Sequence, residues 1–303
     1  MKNRNQELLI PIFINDDLNS DNMALILTSA SDVGVIRNFG RSGARFAPKS
    51  ILSQLVKLNN HFNLDKIECH ETTNKDEEVL NFENAQEQSS KKISKLIREK
   101  NFKKLIHIGG GHDHIFPLLK GLSLSKSYKN ILILNLDAHN DTRVADIQHS
   151  GTPFRDFDKS ATLPFHLVQI GTSLATNSKS TLSPLKNGTT TSIYLDQLEM
   201  KSQNFTMLPE GLIDHCPFLI SKETAIIISL DCDAIDGASM KGVSAVNGRG
   251  IPIQYIFKFI SDIQNKFPDQ TALGIYEYNP VYDDLSALGA RSMARLMFEY
   301  LLK

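Results

Sequence analysis

Residues Asn130 to Asp141 read NILILNLDAHND. A nearly unbroken apolar run turns abruptly into Asp137, His139 and Asp141, one chemistry-bearing side chain at every second position. An apolar run without polar alternation is the pattern of a strand buried on both faces of a parallel sheet. Similar runs occupy Leu8 to Ile14, Lys104 to Ile108, His166 to Ile170, Thr224 to Leu230 and Thr271 to Tyr276. Between them, Pro48 to Leu58, Glu83 to Lys100, Pro252 to Lys266 and Ser286 to Leu302 return apolar residues every three or four positions, as helices with one buried face do. Strands alternating with helices predict a three-layer α/β/α fold around a doubly wound, mainly parallel sheet. The polar stretch Thr172 to Gln203 is expected to form surface loops and a short helix. Without a tandem repeat or a convincing linker, residues 1–303 read as a single domain.

Ligands of such folds bind beyond the carboxyl ends of the strands. The polar clusters of this chain follow strands: Lys104 to Ile108 runs into GGGHDH, Asn130 to Leu136 into DAHND, Thr224 to Leu230 into DCDAID, and Thr271 to Tyr276 into Glu277. Side chains two apart on extended backbone share a side, so Asp137, His139 and Asp141 face one cavity, as do Asp231 and Asp233, with Cys232 turned into packing. His112 adds a second imidazole. Two histidines and four carboxylates without a thiolate suit manganese, with zinc, iron and cobalt as lesser fits. Four carboxylates in one pocket repel unless cations are present, and they exceed what one divalent ion needs. They predict a pair of Mn2+ ions, roughly 3.5–4 Å apart, activating a water between them.

Each motif alone has a plainer reading. An Asp after a strand is often a turn or helix cap, acidic pairs at strand ends are usually solvated, and GGGH is often a tight turn. Their joint occurrence after successive strands is what those readings explain poorly. His107, inside an apolar strand, reads as a core histidine with satisfied nitrogens, and His61, His70 and His215 lack a neighbouring second ligand. His114 and His149 read either as hydrogen-bond donors behind the ligands or proton shuttles, or as surface histidines. Glu277 either binds a cationic group or forms a salt bridge.

Composition narrows the partner. Of 303 residues, 41% are hydrophobic and 22% charged, and 33 basic against 34 acidic residues leave a net charge of -1. That balance excludes the basic surface of a nucleic-acid binder and points to a small-molecule substrate. No segment has the apolar length of a membrane span, and MKNRNQELLIPIFIND lacks a cleavage site of small residues, so a cytoplasmic protein is expected. Cys69, Cys216 and Cys232, odd in number and widely spaced, read as ordinary thiols.

The order GGGHD, NLDAHND, SGTPFR, SLDCDAID, YEYNP resembles the arginase, agmatinase and formimidoylglutamase superfamily over most of the chain. Within it the chain is most similar to the formimidoylglutamases, through VIRNFGRSGARFAPKSI, the third glycine before His112, SGTPFR in place of a histidine before GTPF, and GVSAVNGRG. The resemblance implies His112 and Asp141 on one manganese, His139 and Asp233 on the other, and Asp137 and Asp231 bridging. It further implies a bridging hydroxide that attacks the formimino carbon, with Asp141 passing its proton to the departing amine. Glu277 would grip the cationic nitrogen end. Glutamate and formamide would be the products, and a symmetric homo-oligomer is usual for the superfamily. Candidates for the substrate's carboxylates are Asn38, Arg41, Arg45, Ser150 and Arg155, with Arg41 and Arg45 equally readable as packing against a glycine-rich turn.

This chain departs from the family at Lys241, where proline is usual, at Asp113, where glutamate is usual, and at Gly237 after Asp236, where arginases have proline. None of these is a ligand. Three alternatives stand beside this reading: a ureohydrolase releasing urea from arginine, agmatine or a guanidino acid; a manganese-dependent nucleotide-sugar transferase using Asp-x-Asp; and a non-catalytic binding protein. The second leaves GGGH and DAHND without a role, and the third is usually marked by a lost ligand.

Overall fold

The computed structural model describes residues 22–200 and 216–303. Eight strands are found there: β1 (Met23–Ser29), β2 (Lys66–Glu71), β3 (Lys104–Gly109), β4 (Asn130–Leu136), β5 (Phe165–Thr172), β6 (Thr189–Tyr194), β7 (Thr224–Asp231) and β8 (Thr271–Tyr276). They form one sheet in the order β2-β1-β3-β8-β7-β4-β5-β6, with every neighbouring pair parallel. The expected strand Leu8 to Ile14 and His215 lie outside the described residues.

The helices are α1 (Val33–Arg37), α2 (Ala47–Leu55), α3 (Lys75–Leu80), α4 (Phe82–Glu99), α5 (Ile115–Ser125), α6 (Pro153–Ser160), α7 (Leu195–Met200), α8 (Ile253–Lys266) and α9 (Leu288–Leu302). Successive strand residues enter opposite layers. Leu25, Leu105, Ile131 and Ile227 pack with residues of α4, α5 and α6, whereas Ile26, Ile106, Leu132 and Ile228 pack with those of α2, α8 and α9. This two-sided burial is why the central strands read as continuous apolar runs, and it produces the expected three layers. Asparagine side chains set helix starts, Asn74 accepting from the backbone N–H groups of Asp76 and Glu77, and Asn81 from that of Asn84.

Three strands carry no expectation from the sequence. β1, MALILTS, is as apolar as its neighbours, but β2 and β6 are edge strands whose residues, Ile67 apart, are exposed or half-buried, KIECHE and TTTSIY. β6 and α7 occupy part of the stretch expected to be loops and a short helix; the helix is there, and the strand is a correction. An edge strand lacks the second covered face that writes an apolar run into the sequence.

The strands preceding the four polar clusters, β3, β8, β7 and β4, are consecutive neighbours at the middle of the sheet. Parallel pairing brings all four carboxyl ends to one edge, so residues separated by more than 160 positions in the chain meet there. No helix of the described residues is long and apolar enough to cross a membrane.

Candidate metal centre

Gly109 to Gly111 carry the chain from β3 past the end of β1. A Cβ at Gly110 would stand 1.9 Å from the Ser31 carbonyl oxygen, so only glycine passes there. The turn delivers His112, fully buried, to the sheet's carboxyl edge. Its Nδ1 lies 2.9 Å from Asp141 Oδ2, 3.1 Å from Asp231 Oδ2 and 3.2 Å from Asp137 Oδ2. Nearby, His139 Nδ1 lies 3.0 Å from Asp233 Oδ2 and 3.7 Å from Asp137 Oδ1. Two ligand groups result, His112 with Asp137, Asp141 and Asp231, and His139 with Asp137 and Asp233. Asp137 belongs to both; Asp231 falls with the first.

The six residues converge, but not through the extended backbone expected of them. Beyond β4 the chain bends, the His139 N–H donating to Asp137 Oδ1 at 2.7 Å, and Asp141 takes a left-handed φ of 50°. Beyond Asp231 it enters a 3-10 turn in which the Asp233 N–H donates to Asp231 Oδ1 at 2.8 Å. Each leading aspartate thus caps its own turn with one oxygen and faces the cavity with the other, a common use of Asp after a strand. Cys232 points away as expected, with its Sγ 3.6 Å from Met293 Sδ.

The donor set fits cations. His112 Nε2 lies 2.8 Å from Ser229 Oγ, and with Ser229 accepting, the ring proton sits on Nε2 and Nδ1 is free for a cation. Nδ1 faces three carboxylate oxygens and is buried with no hydrogen-bond partner, as is Asp233 Oδ1. Facing lone pairs demand a positive charge between them. Without metal, protons fill that place. Burial pushes Asp141 up to about 6, the Asp137 charge reinforcing it against His112 and His139. Burial also raises Asp231, helped by the charges of Asp233 and Asp137. For His112 the burial that would lower it is outweighed by its three carboxylates, and His139 rises to about 12, first through Asp233.

Glu277 closes the site on the β8 side. It sits at φ 60°, its N–H donating to the Gly110 carbonyl at 2.8 Å and its Oε1 accepting from the His112 N–H at 3.0 Å. Burial lifts its carboxyl to about 8 against that hydrogen bond, with Asp233 and Asp113 adding to the rise. Asn38 and Ser150 meet on the flank, Asn38 Nδ2 donating to Ser150 Oγ at 3.0 Å. Arg143, which sequence reasoning passed over, donates through Nη1 to Asn38 Oδ1 at 2.6 Å.

The other arginines are engaged elsewhere. Arg155 gives its guanidinium to the carbonyls of Thr142, Ser183 and Pro184, binding two loops together and leaving no fork for a ligand. This corrects the substrate role expected of it. Arg41 donates to the carbonyls of Val243 and Ser244 and lies over the Tyr282 ring, and Arg45 pairs with Asp32, so both take the packing alternative. His114 and His149 are buried, which removes the surface reading. Ser229 was also passed over, although its place two residues before Asp231 on one strand puts it on the same face.

The family model for the arginase family matches residues 24–303. A formimidoylglutamase of Hahella chejuensis is 31% identical over 274 residues, 88% of this chain and 80% of that protein. Among solved structures, formimidoylglutamase from Bacillus subtilis has a TM-score of 0.77 at 20% identity, covering 95% of this chain and 88% of that one. Trypanosoma cruzi formiminoglutamase with Mn2+ has a TM-score of 0.73 at 21% identity, covering 93% and 92%. The sheet order, the converging ligand motifs and the match along nearly the whole chain lead to one conclusion: this protein belongs to the arginase family and is a hydrolase of carbon–nitrogen bonds in linear amidines.

Proposed function

We propose that the chain is a binuclear manganese hydrolase, one domain over its length, that cleaves N-formimino-L-glutamate to L-glutamate and formamide. The observation that carries the reading is the orphaned His112 Nδ1 among three carboxylate oxygens, beside a second group that shares Asp137. In this reading His112, Asp141 and Asp231 would hold one ion and His139 and Asp233 the other, with Asp137 available to both. When bound, such ions supply a hydroxide near neutral pH and stabilise negative charge developing at the attacked carbon.

The chain's own residues place the substrate and move the proton. Glu277, nearly neutral when empty, ionises against a formamidinium group, whose two N–H donors match a carboxylate. Its left-handed backbone, tied to Gly110 and His112, fixes where the amidine carbon sits relative to the ligands. The oxygen of one water adds to that carbon, the bond to the glutamate nitrogen breaks, and formamide leaves with the other nitrogen. Asp141, beside His112 at the cavity, is placed to take the proton from the attacking water and give it to the departing amine. Arg143, exposed beside Asn38 and Ser150, offers a guanidinium fork to the substrate's carboxylates in place of Arg155.

The test is to incubate manganese-loaded protein with formiminoglutamate, arginine, agmatine and guanidinobutyrate and to assay formamide and urea separately. Formamide from the first alone is expected. Urea from any of the others assigns the chain to the ureohydrolase alternative. A cytoplasmic homo-oligomer belongs to the same reading and is checked by cell fractionation and light scattering.

A further inference from the structure

The carboxylates and Ser229 contact the two ring nitrogens of His112, and rotation about the line through those nitrogens tilts the ring. Tilt is set by what lies on the ring's faces. Tyr276 stacks on His112 with centroids 5.0 Å apart and planes 24° from parallel, and Phe154 meets the same ring edge-on at 5.6 Å and 87°.

Tyr276 occupies a slot that the backbone leaves for it. A Cβ on Gly274 would come within 2.5–2.8 Å of the Tyr276 ring and hydroxyl, and one on Gly109 within 2.6 Å of the ring. Gly274 lies inside β8, where glycine otherwise weakens a strand, and a close approach of this kind accounts for it. The hydroxyl is anchored at the far end of the slot. Tyr276 Oη is 3.0 Å from His107 Nδ1, His107 Nε2 is 2.9 Å from Ser29 Oγ, Ser29 Oγ is 2.8 Å from Thr72 Oγ1, and Thr72 donates to the Thr28 carbonyl at 3.0 Å.

That last bond orients the whole chain. A carbonyl only accepts, so the single Thr72 proton goes to it and Thr72 must accept from Ser29. Ser29 therefore accepts from His107 Nε2–H, and His107 Nδ1 accepts from the Tyr276 hydroxyl. All four side chains are buried, and burial keeps His107 neutral, as this direction requires.

We propose that Tyr276 is a positioning residue for the metal centre: the buried chain from Thr28 through Thr72, Ser29 and His107 locks its ring, and its ring sets the tilt at which His112 offers Nδ1 to the ion. The inference rests on His112 being a metal ligand. It accounts for two residues that the chemistry leaves without a role, a histidine inside an apolar strand and a tyrosine before Glu277. Tyr276 is fully buried against the His112 ring. It acts through His112.

The experiment uses the full chain with Mn2+ alone as the probe, titrated calorimetrically into wild type, Gly274→Ala and Tyr276→Phe, with metal-free melting curves alongside. Gly274→Ala pushes the ring out of its slot and is expected to weaken one of the two ions about tenfold while leaving the other at its wild-type constant. Tyr276→Phe keeps the stack, cuts the chain, and is expected to weaken the same ion by a smaller factor of about three. A purely structural role for Tyr276 would lower the metal-free melting temperature without separating the two ions. Independently of metal, 15N spectra of the wild type are expected to show His107 protonated on Nε2. Unchanged manganese constants in both variants, or His107 protonated on Nδ1, overturn the proposal. A wild type that binds no manganese refutes the metal-centre reading first, an outcome distinct from wild-type binding that both variants match.

Discussion

At the carboxyl edge of the central strands, four aspartates crowd two imidazoles, and among the described residues no lysine or arginine is paired with them. On edge strand β2, one carboxylate, that of Glu68, is met by Lys66 at 2.6 Å, Lys100 at 2.9 Å and His70 at 3.0 Å. Burial alone would raise Glu68, but its hydrogen bonds from Lys66, Lys100 and His70 outweigh it and hold the carboxyl at about 2. Asp141 and Asp231 shift the other way. Glu68 is satisfied by its own chain, whereas the aspartates need charge from outside. A buried set of acids without matching cations costs stability that a bound ion, or protons at low pH, recovers.

The largest effect that separates the two regions is on turnover. Asp141→Asn or Asp231→Ala is expected to lower kcat/KM by about 10³-fold or more with the protein still soluble, whereas Glu68→Gln leaves it within about twofold. Retained turnover with manganese in either aspartate variant breaks the contrast.

Next comes metal removal. Chelation is expected to lower the melting temperature by roughly 5–10 °C relative to protein with Mn2+ at about a hundredfold excess over Kd. The metal-free protein should also lose stability as pH rises from about 5 to 8. The sign follows from carboxyls whose folded values, about 6 for Asp141 and about 8 for Glu277, lie above their ordinary ones: their contribution is full at low pH and disappears as pH passes the folded value. Calorimetric melts with and without Mn2+ across this range check both, and a metal-free protein that gains stability toward pH 8 contradicts them.

A smaller effect is expected at Ser229. Ser229→Ala removes the acceptor that keeps the His112 proton on Nε2 and should weaken manganese binding about 10- to 100-fold, read by calorimetric titration. The smallest belongs to Glu68. Glu68→Gln should change stability at pH 7 by less than about 1 kcal/mol. Because its folded value is depressed, the wild-type advantage is present above pH 4.5 and lost as pH falls toward 2, which acid melts of the two proteins would show.

How much of this was legible in the sequence follows from burial. β3, β4, β5, β7 and β8 could be read because both faces are covered; β2 and β6 could not, because edge strands carry polar residues. The convergence of the six candidate residues was legible because carboxylates and imidazoles rarely gather after several strands at once. The route by which they converge was not, since the left-handed Asp141 and the 3-10 turn at Asp233 leave no periodicity. Arginine roles were the least legible: Arg41, Arg143 and Arg155 look alike in the chain, and only the carbonyls around Arg41 and Arg155 distinguish them from Arg143. His107 reads as a core residue and Tyr276 only as the end of an apolar run, and their link to His112 depends on the pairing of β3 with β8.

The central claim is that the aspartate cluster is a two-ion site. Anomalous diffraction at the manganese edge, from crystals grown with Mn2+, tests it most directly. Two peaks are expected, one against His112 and Asp141 and the other against His139 and Asp233, with Asp137 between them; a single peak, or none, would contradict the account.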